Sequence, residues 1–269
     1  MPSTTSITTR VTSAAQAAGL FADEIIPIDV TRAVIEKATG EREVNAVGYC
    51  IGGTTLTATL GVLKQRGEDR VKSATFLTTL TDFSDQGEFT TFLQDDFVGG
   101  IEDEVARTGY LSAQLMQRTF SFLRANDLVW GPAIRSYMLG EAPPAFDLLF
   151  WNADSTNLAG PMYCWYLRHT YLQNDLKSGE LELCGVKLDL RSIEAPAYLL
   201  GTHDDHIVPW RSAYASTALL GGSKRFVLGS SGHIAGVINP PASNKRHYWV
   251  NEHITPIADD WLQSAQQHA

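Results

Sequence analysis

Apolar and polar positions along this chain follow two different periods. Thr31 to Thr39 reads as a short helix closed at Gly40, where a residue tolerant of φ > 0 is expected. Glu43 to Cys50 is a short apolar run, the pattern of a buried strand. In the TTLTATLGVLK that follows, Leu56, Leu60 and Leu63 recur at i, i+4 and i+7, which predicts a helix with one apolar face, stopped by Gly67. Val71 to Thr79 reads as the next strand. Ala197 to Gly201, just after Pro196, and Arg225 to Gly229 have the same character, and each ends in a glycine-containing turn. Strands alternating with helices predict an α/β domain with a mostly parallel sheet.

Between about Ser84 and Glu194 the pattern changes. FLRANDLVWGPAIRSYMLG and GPMYCWYLRHTYLQNDL are aromatic-rich and helical in character, with proline-containing joints. An insertion of this size between two sheet strands is the usual form of a lid or cap over an active site; the alternative is a helical layer packed on the sheet. Residues 1–30 form a poorly defined leader, in which only Ile25 to Val30 reads as strand. The expected organisation is this leader, a main domain over 31–269, and the lid or cap at about 84–194.

Chemistry enters at Gly48-Tyr49-Cys50-Ile51-Gly52-Gly53, between an expected strand and an expected helix. The segment has the G-x-S-x-G form with cysteine in place of serine, and it resembles the nucleophile elbow of α/β-hydrolase folds. There the nucleophile sits on a strained strand-to-helix turn, and the positions two residues to either side are glycine because the two backbones approach too closely for a Cβ. The helix N-terminus brings unpaired amides and a positive dipole end to Cys50, favouring the thiolate. The amide of Ile51 is the natural first oxyanion donor.

A cysteine nucleophile needs a base and an orienting acid, which in this fold follow it in the order acid, base. Asp204-Asp205-His206 comes directly after the strand ending at Gly201, and Ser231-Gly232-His233 directly after the strand ending at Gly229. Strand C-terminal ends are where α/β sheets carry their chemistry. Of the 7 histidines, His233 alone combines a strand end with a glycine-flanked loop. His206, its main rival, precedes Ile-Val-Pro and reads as packing behind the acid; His169, His247, His253 and His268 fall on expected helices or the tail. The pattern leaves Asp204 and Asp205 both open as the acid.

Charge and cysteine usage narrow the setting. A net charge of −9 argues against a nucleic-acid partner and, mildly, against anionic membranes, while a local Lys/Arg patch still permits an anionic CoA ester. Cys50, Cys164 and Cys184 form no CxxC pair and no metal-ligand spacing, which fits a reducing cytoplasm without a metal. MPSTTSITTR lacks the apolar core of a secretory signal, and no run of 18 apolar residues offers a membrane span.

These segments together resemble polyhydroxyalkanoate synthases of the short-chain, class I type. GYCIGG is similar to the family's lipase-like box, DDHIVPW to its acid segment and GSSGHIAGVINPP to its histidine segment. TDFSDQGE and FWNADSTNLAGPMYCWYLR extend the similarity, which runs from about Ala33 to the end. The resemblance implies Cys50 as nucleophile, His233 as base and Asp205 as its acid partner. It implies (R)-3-hydroxyacyl-CoA as substrate, with 3-hydroxybutyryl-CoA as the expected member, CoA as leaving group, and no cofactor. It implies a polyester growing on a cytoplasmic granule, by a homo-oligomer. Only 49 residues precede Cys50, so the resemblance is to a catalytic region lacking the upstream sheet strands.

On this reading Trp151, Tyr163, Trp165 and Tyr166 are candidates for the site's apolar wall, and Asp82 has a structural role. Two other readings are a cysteine hydrolase of the dienelactone-hydrolase or thioesterase type, with water as acceptor, and a weakly active or inactive partial synthase that serves as a binding subunit.

Overall fold

The structure is a computed structural model that describes residues 34–91, 93–123, 125–142 and 154–269. The leader, Ile25 to Val30 within it, and Trp151 lie outside the described residues. The described residues divide into a sheet unit, built from the chain up to Gly87 and again from His169 to Ala269, and a helical unit over Glu88–Arg168.

Six strands of the sheet unit lie side by side in sequence order: β1 (Val44–Tyr49), β2 (Val71–Leu77), β3 (Ala197–Thr202), β4 (Lys224–Gly229), β5 (Tyr248–Val250) and β6 (Gln266–His268). The first four are parallel, β5 pairs antiparallel with β4, and β6 pairs antiparallel with β5. A parallel neighbour requires a crossover, which α1 (Ile51–Gln65) supplies between β1 and β2. The architecture is the mostly parallel α/β sheet that the pattern predicts. The two C-terminal strands are a departure. His247 immediately precedes β5 and His268 lies within β6, so neither is helical. Each strand is only 3 residues long, too short to register as an alternation.

Helix α1 ends where Gly67 takes φ 72°. Leu60 and Leu63 are buried and Leu56 packs partly buried beside them, on a face that also buries Thr54 and Thr57. Those hydroxyls are satisfied locally: Thr54 Oγ1 donates to the Leu80 carbonyl at 2.6 Å, and Thr57 Oγ1 to that of Gly53 at 2.9 Å. Ala74, Phe76, Leu199, Phe226 and Leu228 line the same face of the sheet. Leu176, Leu181, Leu188, Leu190 and Ile193 join this core, so the stretch after His169 packs with the sheet unit. Among the described residues β1 ends the sheet, with β2 as its neighbour, and Val47 on it is 67% exposed.

The helical unit holds helices Asp95–Thr108, Ala113–Leu123 and Gly160–Tyr166 around Val98, Val105, Leu111, Cys164 and Leu167. Arg168 makes paired bonds to Glu102, Nε to Oε1 and Nη2 to Oε2 at 2.6 Å for the second, which ties the unit's last residue to its first helix. Gly131-Pro132 sits between two wide, π-type turns, Asn126–Trp130 and Ile134–Met138. Proline has no N–H to donate four residues back, so the ladder loosens there. No described helix is long and apolar enough to cross a membrane.

Candidate active site

Strand β1 ends one residue before Cys50, which takes φ 55° and ψ −125° as the N-cap of α1. Cysteine at positive φ is strained, at a cost on the order of 1–3 kcal/mol, and persists only where its surroundings fix it. They do so through four contacts. Cys50 N donates to the Leu77 carbonyl at 2.9 Å, while its own carbonyl accepts from Gly53 N at 2.9 Å, Thr54 N at 3.4 Å and Thr79 Oγ1 at 3.3 Å.

The close approach expected of the elbow is real but differently placed. A Cβ on Gly48 would stand 2.4 Å from Gly53 Cα, and one on Gly53 would stand 1.9 Å from Thr79 Oγ1, whereas a Cβ on Gly52 meets nothing within 4 Å. The spacing rule pointed at Gly48 and Gly52. The contact falls on Gly53 because successive helical residues are rotated by roughly 100°, and the third residue after the nucleophile faces the strand. Since α1 begins at Ile51, that residue's amide is among the first-turn N–H groups with no partner inside the helix.

The acid and base loops leave the sheet together. Past the ends of β3 and β4 the pairing continues, His203 N to Gly229 O at 2.8 Å and Asp204 N to Ser231 O at 2.9 Å, with Ser231 at φ 78°. The fully buried Asp205 carboxylate then meets His233, Oδ2 to Nδ1, at 2.7 Å. Thr202 Oγ1 donates to the same oxygen at 3.2 Å, and the amides of Ile207 and Val208 donate to Oδ1 at 2.9 Å each. Asp204, left open by the pattern, instead points outward with its side chain 67% exposed and pairs with His203 at 2.8 Å. Asp205 is the carboxylate the structure brings to His233, and Cys50 lies near enough to act on the imidazole's pKa.

The electrostatics follow from this arrangement. Burial alone would lower the pKa of His233, but the hydrogen bonds and negative charges of Asp205 and Cys50 outweigh it and raise the imidazole to about 9. The imidazole therefore holds its proton more strongly than a free histidine does.

Asp82 lies elsewhere, in a structural network. Its carboxylate accepts from Ser84 N at 2.9 Å and Asn174 Nδ2 at 3.0 Å and pairs with Lys177 at 2.9 Å; these contacts overcome burial and hold its pKa below the usual range. Within the helical unit, burial pushes the Tyr163 phenol up to about 12, and Trp165 is 38% exposed. Three contributors escaped the sequence reading: Thr79 and Thr202, ordinary threonines at strand ends, and Tyr49, whose hydroxyl donates to the His233 carbonyl. Only Tyr49 carried a signal, its place beside the nucleophile.

The alpha/beta hydrolase fold family matches residues 22–240. The chain belongs to that family. Within this α/β-hydrolase group it is 49% identical over 262 residues to the poly(3-hydroxyalkanoate) polymerase subunit PhaC of Cupriavidus necator, covering 94% of this chain and 44% of that protein. It is 42% identical over 236 residues to the PhaC subunit of Rhizobium meliloti, covering 88% and 39%, and 36% identical over 230 residues to poly(3-hydroxyalkanoate) polymerase 2 of Ectopseudomonas oleovorans, covering 85% and 41%. The chain thus spans less than half the length of these curated relatives.

Proposed function

We propose that this α/β-hydrolase-fold chain carries the catalytic site of a polyhydroxyalkanoate polymerase, an acyltransferase that joins (R)-3-hydroxyacyl units from CoA thioesters, with 3-hydroxybutyryl-CoA as the expected substrate. The observation that carries the reading is the buried pair His233–Asp205 beside Cys50, whose thiol sits half-buried on the strained elbow. The names of the relatives supply the reaction class.

In this reading His233 holds the proton of Cys50, and the thiolate attacks the thioester carbonyl carbon. The Ile51 amide stabilises the tetrahedral oxyanion. Its collapse breaks the bond to the CoA sulfur, which takes the proton from His233 and leaves as the thiol. One thioester replaces another, so the acyl group stays activated on Cys50. The hydroxyl of a second acyl unit or chain end then gives its proton to His233, attacks the acyl carbon, and leaves an ester with the Cys50 thiol restored. Water competes for the same acyl group, so polymer growth needs a dry site; excluding water is the role proposed for the aromatic-rich insertion read as a lid. Association with the polymer granule and with further copies belongs to the same proposal.

The test is incubation of the purified chain with (R)-3-hydroxybutyryl-CoA. CoA release, an acyl adduct on the Cys50 peptide by mass spectrometry, and polymer are the expected results, all absent in Cys50→Ala. Free 3-hydroxybutyrate without polymer would assign the site to a hydrolase. A folded chain that releases no CoA would leave the binding-subunit reading.

A further inference from the structure

We infer that Tyr49 is a positioning residue for the base, holding His233 to the strand that carries the nucleophile. The need for such a tie follows from the topology. Cys50 follows β1 and His233 follows β4, and β2 and β3 lie between them. With neighbouring strands roughly 4.8 Å apart, the two backbones emerge about 14 Å from each other. Asp205, after β3, holds His233 from its own side through Nδ1, and nothing in that contact fixes the ring's distance from β1.

Tyr49 spans this gap in two ways. Its hydroxyl donates to the His233 carbonyl oxygen at 2.5 Å, and its ring meets the imidazole edge to face, with centroids 5.5 Å apart and planes at 88°. The hydrogen bond fixes the backbone of the histidine loop, and the ring contact fixes the imidazole's tilt. Tyr49 is the last residue of β1, and Cys50 directly follows it, so the base is registered against the atom it serves with one residue between. Burial raises the phenol's pKa and the charges of Asp205 and Cys50 raise it further, so the group remains a neutral donor near neutral pH. Tyr49 touches no reacting atom in this arrangement; it acts through His233.

The inference rests on the assignment of His233 as base, but its test needs no polymerase activity. In the full chain, Cys50 alkylation by iodoacetamide reports thiol–imidazole cooperation, and the titration of ¹⁵N-labelled His233 by NMR reports the pair's coupling. In Tyr49→Phe, which keeps the ring and loses the hydroxyl, alkylation should slow by up to about tenfold, the worth of one well-made hydrogen bond. The His233 midpoint should fall from about 9 toward 6.5. Incorporating 4-aminophenylalanine at position 49 restores a donor at the same ring position, and should recover both readouts even if the Phe variant folds poorly. A Phe variant that melts earlier yet alkylates within twofold of the parent, with the His233 midpoint unmoved, would reduce Tyr49 to a packing residue and overturn the inference. So would failure of the amino analogue to recover either readout. Failure of polymer synthesis in the parent chain would leave these two measurements intact.

Discussion

The two corners of the candidate active site are built by different physics. At the nucleophile corner the geometry comes from contact: Gly48 and Gly53 let strand and helix backbones close together, Thr79 fills the space beside them, and Cys50 is left at φ 55°. At the acid–base corner it comes from hydrogen bonds, four of them on the Asp205 carboxylate and two more joining the loops past β3 and β4. A packed corner fails when atoms are added, and a hydrogen-bonded corner fails when atoms are exchanged. The difference decides which substitutions each can bear.

The largest effect should come from removing the base. His233→Ala should reduce acyl transfer by about 10⁴-fold or more with the fold kept, measured by CoA release and circular dichroism. Loss of equal size in His206→Ala, with His233→Ala mild, would reassign the base. Exchange within the hydrogen-bonded corner should cost less. Asp205→Asn, which keeps the shape but can no longer orient the imidazole as an anion, should lose less than His233→Ala in the same assay, whereas Asp204→Asn should stay within about twofold because its side chain faces solvent.

Addition at the packed corner comes next. Gly53→Ala places a Cβ 1.9 Å from Thr79 Oγ1 and should destabilise the sheet unit by about 1–3 kcal/mol while slowing Cys50 alkylation. Pairing it with Thr79→Ala should rescue only part of the loss, because the Thr79 Cβ itself would remain 2.8 Å away. A fourth prediction concerns pH. The folded chain raises His233 from 6.5 to about 9, so it binds that proton more tightly than the unfolded chain does. The resulting stabilisation is complete below about pH 6.5 and fades as pH rises through about 9. Denaturant melts at pH 6 and pH 10 should show this loss in the parent and a smaller one in His233→Ala. The smallest effect belongs to Gly52→Ala, where a Cβ meets nothing. A gain of up to about 1 kcal/mol is expected from helix propensity alone, read as a higher melting temperature with alkylation unchanged.

Most of this corner-by-corner logic was legible in the sequence, and the exceptions have physical reasons. The strands β3 and β4 announced themselves because buried parallel strands are continuous apolar runs, and the elbow because its strand, cysteine and helix are contiguous; β1 also reads as a buried run, yet at the end of the described sheet it leaves Val47 exposed. The choice between Asp204 and Asp205 was not written in the pattern, since both sit on one loop after one strand. In the fold a local turn, in which the amides of Ile207 and Val208 fold back on Asp205, brings that carboxylate to His233, and Asp204 finds its partner in its neighbour His203. Gly52 misled because a motif read as a line is symmetric about the nucleophile, while the helix it enters is not. Tyr49 stayed silent because its partner is the backbone of a residue 184 positions away, and a carbonyl leaves no trace in composition.

Parallel strands also give the sheet unit a front and a back. Because β1 to β4 all run the same way, the residues that follow them, Cys50, Thr79, Asp205 and His233, share the front, and the strand starts share the back. There the ion pairs Lys72–Glu43 at 3.0 Å and Lys64–Glu194 at 2.5 Å join solvent-facing groups, and exposed pairs of this kind add little to stability. Edits to solubility, tags or immobilisation belong at that back end, where the chain tolerates traffic. The front is where a change in one side chain becomes a change in chemistry.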